Sequence, residues 1–193
     1  MILDIRIPCI YAANRMSRCL GFKVSSRSSV TAPCESATAI ASHLGNAFSV
    51  LVARRKSIPR MIENIRQYGH DHRMVSMRSV EIRVPDLRVD HDLTGDRLLT
   101  EGRKAIQEDG AQVLTLGCAA EYGLHEKLLS VLGVPVIDAT LAPFKYAEFL
   151  AELAKRFGWY PSRMWGSEAP PQAELAAWGI LTNVLVLKAR DAL

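Results

Sequence analysis

Short apolar runs alternate with helix-like segments along most of the chain. The run Phe48 to Ala53 (FSVLVA) is continuously apolar, as is typical of a strand inside a parallel sheet. Val113 to Leu116 and Val134 to Ile137 are shorter runs of the same kind, and Val75 to Val84 has the partial alternation of a half-exposed edge strand. The repeated strand–helix order predicts an α/β fold in which helices cover both faces of a parallel sheet.

Five helices are predicted around these runs from apolar residues at helical spacing and from start and stop residues. Ser57 is expected to cap the second helix, and glycines follow most of the C-terminal ends. Their predicted extents are Pro33 to Leu44, Ile58 to Tyr68, Leu93 to Asp109, Tyr122 to Leu132 and Thr140 to Phe157. Two weaker patterns, Met1 to Tyr11 and Val30 to Ala32, favour further short strands.

Cys118 follows the Val113 to Leu116 strand after Gly117, at the strand end where open α/β sheets bind their ligands. Backbone N–H groups of Ala119, Ala120 and Glu121 would open a helix there and cradle an anion. The same partial positive charge is expected to lower the pKa of the Cys118 thiol and make it reactive. The alternative is a small cysteine buried in the core.

Composition excludes several classes of protein. The 193 residues are 49% hydrophobic, which is enough to build a core, and a net charge of +4 with basic and acidic residues interspersed gives no nucleic-acid footprint. No apolar run is long enough to cross a membrane. The four cysteines form no CxxC pair and have no histidine at zinc spacing, so we expect a reducing cytoplasm and neither a disulfide framework nor a metal. No nucleotide-binding glycine motif occurs, and we expect no cofactor.

Several motifs together resemble the aspartate/glutamate/hydantoin racemase family, most closely its hydantoin and allantoin racemase-like branch. In that branch a segment EDGA, an apolar strand and LGCAGM are followed by GVPVID and a helix with A-x-K-x-AE. This chain has EDGAQVLTLGCAAEYGL, then GVPVID and APFKYAE. Upstream, VTAPCESATAIASHLGNAFSVLV and SMRSVEIRVPDL resemble the branch's P-V-x-G-x-x-E-A helix and S-V-R strand. The resemblance covers about residues 30 to 153.

The resemblance implies a two-lobed α/β fold with parallel sheets flanked by helices and an active site between the lobes. Members without cofactors use one cysteine from each lobe to move the Cα proton of a small-molecule substrate. Cys118 matches the second-lobe cysteine, and Gly117, Ala119 and Ala120 match its substrate-binding loop. The family's Gly-Met is Ala120-Glu121 here, and this departure would narrow the pocket or change its charge. Glu35 matches a glutamate that would orient substrate, although a glutamate stabilised by the helix dipole is equally compatible.

The first-lobe cysteine has no match in this chain. Cys9 and Cys19 flank the expected place, and Cys34 falls on a small residue of the family pattern. About fifty residues that form the family's first strand and helix also lack a counterpart. We therefore expect a truncated or frame-shifted amino terminus and an incomplete first lobe. The expected division is residues 1–46 as a remnant of that lobe, 47–139 as the second lobe, and 140–193 as helices returning to the first.

Other polar residues near these motifs have two interpretations each. Asp138 would support the site or, more simply, cap the next helix. His125 would assist the thiol or lie exposed on its helix, and Lys145 would face the interlobe region or extend along the surface. The sequence His70-Asp71-His72 suggests metal ligands, but its place after a helix stop favours a solvated turn.

Three functions remain open from the sequence. The first is a racemase or epimerase of a hydantoin-like or amino-acid-like substrate, with a second proton carrier besides Cys118. The second is a one-cysteine enzyme similar to the arylmalonate decarboxylases of the wider superfamily. The third is a catalytically inactive member with an assembly role, since an incomplete lobe exposes an apolar sheet edge. A homo-oligomer is compatible with each of them.

Overall fold

A computed structural model describes residues 29, 31–162, 164–165 and 171–177. Its centre is a four-stranded sheet with the order β2-β1-β3-β4, in which all three pairings are parallel. The strands are β1 (Phe48–Val52), β2 (Met74–Ser79), β3 (Val113–Leu116) and β4 (Val136–Ile137). The predicted parallel α/β architecture is therefore confirmed.

Helices connect and flank the strands. They are α1 (Pro33–Leu44), α2 (Ile58–Gln67), α3 (His91–Gln107), α4 (His125–Leu132), α5 (Leu141–Phe157) and the short α6 (Gln172–Ala177). Among the described residues, no helix is long and apolar enough to cross a membrane.

Two hydrophobic clusters lie on opposite faces of the sheet. On one face, residues of α1 and α2 pack against alternate residues of β1, such as Phe48, Val50 and Val52. On the other face, residues of α3 and α4 pack against Leu51 of β1 and against Leu114 and Leu116 of β3. Because successive strand residues point to opposite faces, the continuous apolar run FSVLV supplies both clusters. This double burial is the reason that β1 carries no alternation of polar residues.

Several sequence expectations about element bounds and caps were wrong. The edge strand β2 ends at Ser79, because Glu81 adopts a positive φ of 56° and the segment Val84–Arg88, which contains Pro85, forms a 3-10 turn. Thr31 and Ala32 are not in a strand; Ala32 instead precedes the first helical residue of α1. Ser57 stands before α2 but makes no side-chain capping bond. The strand expected within residues 1–11 lies outside the described residues.

The helix expected from Tyr122 begins later, at His125. Residues Ala119–Glu121 form a separate 3-10 turn, and Gly123 follows with a φ of 86°, a conformation that interrupts a right-handed helix. The chain after Cys118 is therefore a compact turn rather than the first turn of a long helix. This difference decides which backbone N–H groups are available beside the thiol.

Candidate active site

The candidate site lies at the carboxyl edge of the sheet, where β3 ends and α1 and α5 begin. Cys118 comes two residues after β3 and immediately before the Ala119–Glu121 turn. The side chain of Thr31, before α1, donates a hydrogen bond of 3.0 Å to the carbonyl oxygen of Pro143 in α5. This bond ties the starts of α1 and α5 together at the same edge.

Cys118 and Glu121 hold each other across this turn. The backbone N–H of Cys118 donates to Oε2 of Glu121 over 3.2 Å. In return, the backbone N–H of Glu121 donates to the carbonyl oxygen of Cys118 over 3.0 Å. The Cys118 side chain also accepts from that N–H, so that the two residues form a reciprocal capping box. The turn is therefore fixed by the residue that replaces the family's methionine.

The thiol of Cys118 is half-buried, and its pKa is raised rather than lowered. Burial is the largest cause, a hydrogen bond from the N–H of Ala120 opposes it, and the negative charge of Glu121 adds to the increase. The expectation of a thiol activated by a helix start was therefore wrong. The physical reason is that burial and the Glu121 carboxyl outweigh the N–H groups that the turn offers to the sulfur.

The sequence predicted a role for the backbone N–H of Glu121 in the site but none for its side chain. Its side chain is fully buried, and burial raises the pKa of its carboxyl to about 8. N–H groups of Cys118 and Gly117 act in the opposite direction, while the nearby charge of Asp138 contributes to the increase. An acidic residue at an apolar position of the family motif was the available indication.

Asp138 has the capping role predicted for it and a second one. Its Oδ1 accepts from the N–H groups of Thr140 at 2.7 Å and Leu141 at 3.2 Å, which begin α5. Its Oδ2 accepts from the N–H of Gly123 at 3.0 Å. Oδ2 also lies 3.5 Å from Nδ1 of His125, which is half-buried rather than exposed as expected. Asp138 therefore connects the turn after Cys118 to the start of α5.

Gly117 is required where β3 passes β1. Its N–H donates to the carbonyl oxygen of Leu51 over 2.7 Å, and a Cβ at this position would lie 2.7 Å from the same oxygen. Beside Gly117 is a cavity of about 40 Å³ whose wall also includes Cys34, Thr115 and Ala139. The sequence assigned Gly117 to substrate binding; the structure gives it this close packing and a position on the cavity wall.

Cys34 lies on the opposite face of the sheet from Cys118. It packs with the cluster formed by α1, α2 and β1, and burial raises the pKa of its thiol to about 12, with a smaller contribution from Glu35. Glu35 itself is partly buried in the first turn of α1. The structure therefore brings Cys34 and Gly117 together at one cavity, on the face away from the Cys118 cluster.

The other predicted residues lie at the rim or away from the site. Ala119 is exposed, whereas Ala120 packs against the cluster on the Cys118 face. Lys145 is exposed and bonds to Glu148 over 2.9 Å, as its surface interpretation predicted. The segment Asp71–Arg73 forms a 3-10 turn, which fits the solvated-turn interpretation of the histidine pair. No group of three candidate metal ligands occurs in the described ranges.

Buried polar atoms without a hydrogen-bond partner concentrate at the same edge of the sheet. Within the described part of the chain, they belong to the start of α1, to β3 and the segment after it, and to the starts of α4 and α5. They are Ser36 Oγ, Thr115 Oγ1, Glu121 Oε1, His125 Nδ1 and Thr140 Oγ1. Because buried polar groups are normally satisfied, such a concentration is more typical of a functional site than of a structural core.

These features define an α/β protein with a cysteine turn at the carboxyl end of a parallel strand. Residues 23–147 match the family model described as Asp/Glu/Hydantoin racemase. The match covers more than half of the chain, and the chain belongs to this family. The hydantoin/allantoin racemase-like branch expected from the sequence motifs is supported as well.

Curated relatives support that branch. The chain is 35% identical over 123 residues to a hydantoin racemase of Pseudomonas sp. (strain NS671), and 33% identical over 117 residues to one of Rhizobium meliloti. These matches cover 63% and 61% of this chain, and 49% and 48% of the relatives. The chain thus spans about half the length of the curated relatives it matches.

Two solved allantoin racemases share the fold. The crystal structure of the enzyme from Pseudomonas fluorescens matches with a TM-score of 0.73 and 28% identity, over 79% of this chain and 63% of that one. The enzyme from Klebsiella pneumoniae matches with the same TM-score of 0.73 and 23% identity, over 80% of this chain and 61% of that one. The racemase fold predicted from the sequence is therefore confirmed.

Proposed function

We propose that this chain carries the second-lobe half of a cofactor-independent racemase or epimerase that acts on hydantoin-like or amino-acid-like small molecules. The observation that carries the proposal is Cys118, which lies on a fixed turn at the carboxyl end of β3 in a member of the racemase family. Relatives named hydantoin racemase and allantoin racemase support the substrate class.

Cys118 is proposed as an acid/base residue at the substrate's Cα. As a thiolate it removes the Cα proton and forms an S–H bond, while the C–H bonding pair passes into the adjacent carbonyl group. A proton delivered to the other face of Cα then inverts the centre, and one returned to the same face restores it. Backbone N–H groups at the turn are the proposed hydrogen-bonding partners of the polar substrate.

Inversion requires a second proton carrier. Cys34 is the second thiol in the described residues, and its raised pKa keeps it protonated, which suits a donor. Cys9 and Cys19 lie outside the described residues. We propose residues 47–139 as the second lobe, with 1–46 and 140–193 contributing to the first. A reducing compartment such as the cytoplasm keeps these cysteines as thiols.

Exchange of the Cα proton tests this function directly. The purified chain is incubated in D₂O with hydantoins, allantoin, aspartate and glutamate, and the loss of the Cα proton signal is followed by NMR. We expect exchange that disappears in Cys118→Ala and persists in a control with a substitution at the exposed Lys145. Optical rotation then separates inversion from exchange on one face. A folded protein that exchanges none of these substrates contradicts the proposal and favours an inactive member with an assembly role.

One observation favours a second candidate, a decarboxylase-like enzyme that needs only one cysteine. Because burial raises the pKa of Cys118, the thiol holds its proton near neutral pH, as a donor to a carbanion must. Loss of CO₂ from a substituted malonate would create that carbanion, and Cys118 would protonate it. Release of CO₂ without Cα exchange on hydantoins supports this candidate over the racemase.

A further inference from the structure

Glu121 is the buried ionisable group that the proposed reaction leaves unused. It occupies the third position of the turn after Cys118, where the family motif has methionine, and its side chain has no exposed surface. A carboxyl group at such a position needs compensation, because removing a charge from water is costly. Its Oε2 has the N–H of Cys118, whereas Oε1 has no partner among the described residues.

The groups around Glu121 are mostly acidic or neutral. Asp138 contributes a negative charge, and its Oδ2 lies 3.5 Å from Nδ1 of His125 on α4. The Cys118 thiol is another neighbour that titrates, and the charge of Glu121 raises its pKa. No ion pair involving Glu121 occurs within the described ranges, so a proton is the simplest means of neutralising it.

The 3-10 turn Val84–Arg88 packs against the turn of Glu121. Its buried residue is the apolar Leu87. Arg83 and Asp86 are bonded to each other over 2.6 Å and are largely exposed, and Arg88 is exposed. This neighbouring turn therefore supplies apolar packing, while its charged residues remain near solvent.

We propose that Glu121 is a positioning residue of the candidate site: its carboxyl clasps the Cys118 turn and controls, through its own charge, how readily the Cys118 thiol ionises. The inference rests on the proposed function only in taking Cys118 as the reactive group. Neutral Glu121 keeps its bond to the Cys118 N–H without repelling a thiolate, and its Oε1 is the oxygen that carries the proton. Ionised Glu121 places a negative charge three residues from the sulfur and opposes ionisation.

Coupling of this kind gives two macroscopic titrations that belong to the pair. Burial raises the pKa of Glu121 to about 8 and also raises the pKa of the Cys118 thiol. The first proton to leave the pair hinders the second. A permanently neutral residue of the same shape at position 121 removes the repulsion of the thiolate and keeps the hydrogen bond from the N–H of Cys118.

The test compares Glu121→Gln with the native chain and with Glu126→Gln, a control on the exposed surface of α4. The rate at which iodoacetamide alkylates Cys118 is measured from pH 6 to 10, with the modified residue assigned by peptide mass spectrometry. We expect Glu121→Gln to move the midpoint of the rate profile down by about one pH unit, which is about tenfold faster alkylation on its alkaline rise. Glu126→Gln is expected to match the native chain.

The assay needs no substrate, so it separates this inference from the proposed enzyme activity. A folded Glu121→Gln protein with the native midpoint overturns the inference. If that variant does not fold, the native chain decides the matter through the ¹³C NMR titration of the Glu121 carboxyl. A change in the Glu121 signal that accompanies ionisation of the Cys118 thiol supports the inference, and a signal that does not respond to that ionisation overturns it. Glu121→Met supplies a second neutral variant, expected to lower the thiol midpoint as glutamine does.

Discussion

Cys34 and Cys118 lie near the same edge of one sheet but on opposite faces, and their surroundings differ. Cys34 packs among apolar side chains of α1, α2 and β1, and burial raises its pKa to about 12. Cys118 is half-buried on a turn that offers its sulfur backbone N–H groups and a neighbouring carboxyl. The strand end alone therefore does not activate a thiol, because burial is the largest influence on the pKa of both cysteines and raises both values.

The largest expected difference between the two cysteines is in catalysis. Cys118→Ala should reduce Cα exchange by about 10²- to 10⁴-fold, the usual contribution of a positioned acid or base. Cys34→Ala, which removes the proposed second proton carrier, should retain most of the exchange that Cys118 performs and lose inversion. The measurement is the NMR assay in D₂O, with circular dichroism to show that both variants fold. Equal losses in the two variants would place both thiols in the reaction, and undiminished exchange in Cys118→Ala would remove Cys118 from it.

The second prediction concerns stability on the Cys118 face. Glu121 has a pKa of about 8 in the folded chain and an ordinary value of 4.5, so the folded state binds the extra proton between these values. Its contribution to stability is therefore fully present below pH 4.5 and is lost as pH rises to about 8, a change on the order of a few kcal/mol. Urea unfolding at a series of pH values measures this loss.

The matched variant for this measurement is Glu121→Gln, which has no proton to lose. Its unfolding free energy should change less between pH 5 and 8 than that of the native chain. Parallel pH profiles for the two proteins would mean that Glu121 titrates normally.

A third prediction concerns the junction between the two faces. In Gly117→Ala the new Cβ meets the backbone oxygen of Leu51, which cannot rotate away, so we expect a loss of about 1–3 kcal/mol in unfolding free energy. Gly95→Ala is the control, because its nearest neighbour is the flexible end of Lys127 and alanine favours a helix. Chemical denaturation measures both. Equal stability of the two variants would show that β1 and β3 can separate without cost.

The smallest predicted effect sharpens the contrast between the thiols themselves. At pH 8 iodoacetamide should alkylate Cys118 at least about tenfold faster than Cys34, since the deeper burial of Cys34 both raises its pKa and restricts access. Peptide mass spectrometry over time gives both rates from one sample. Faster labelling of Cys34 would show that its thiol is the more reactive of the two and contradict this prediction.

The sequence was sufficient for the parts of the fold that depend on local patterns. Continuous apolar runs identified β1 and β3, and glycines such as Gly133 marked the ends of helices. The end of β2 was missed because the positive φ of Glu81 depends on its three-dimensional setting. The start of α4 was missed because helical spacing of apolar residues begins at Tyr122, before Gly123, whose positive φ delays the helix to His125.

The position of Cys118 followed from the sequence, but its electrostatics did not. A helix start beside the cysteine predicted a lowered pKa, whereas burial and the Glu121 carboxyl raise it. Burial of an acidic residue depends on packing against distant segments, such as the Val84–Arg88 turn and Asp138, which spacing along the chain does not reveal. The roles of Cys118 and its loop in catalysis remain predictions for the experiments above.

The cavity beside Gly117 has a consequence for the volume of the folded chain. Its roughly 40 Å³ disappears on unfolding, which contributes a volume decrease on the order of 20 mL/mol. Hydrostatic pressure therefore favours states in which the wall formed by α1 and β3 collapses. Since Gly117 belongs to that wall and precedes Cys118, compression acts on the thiol turn from the opposite face of the sheet.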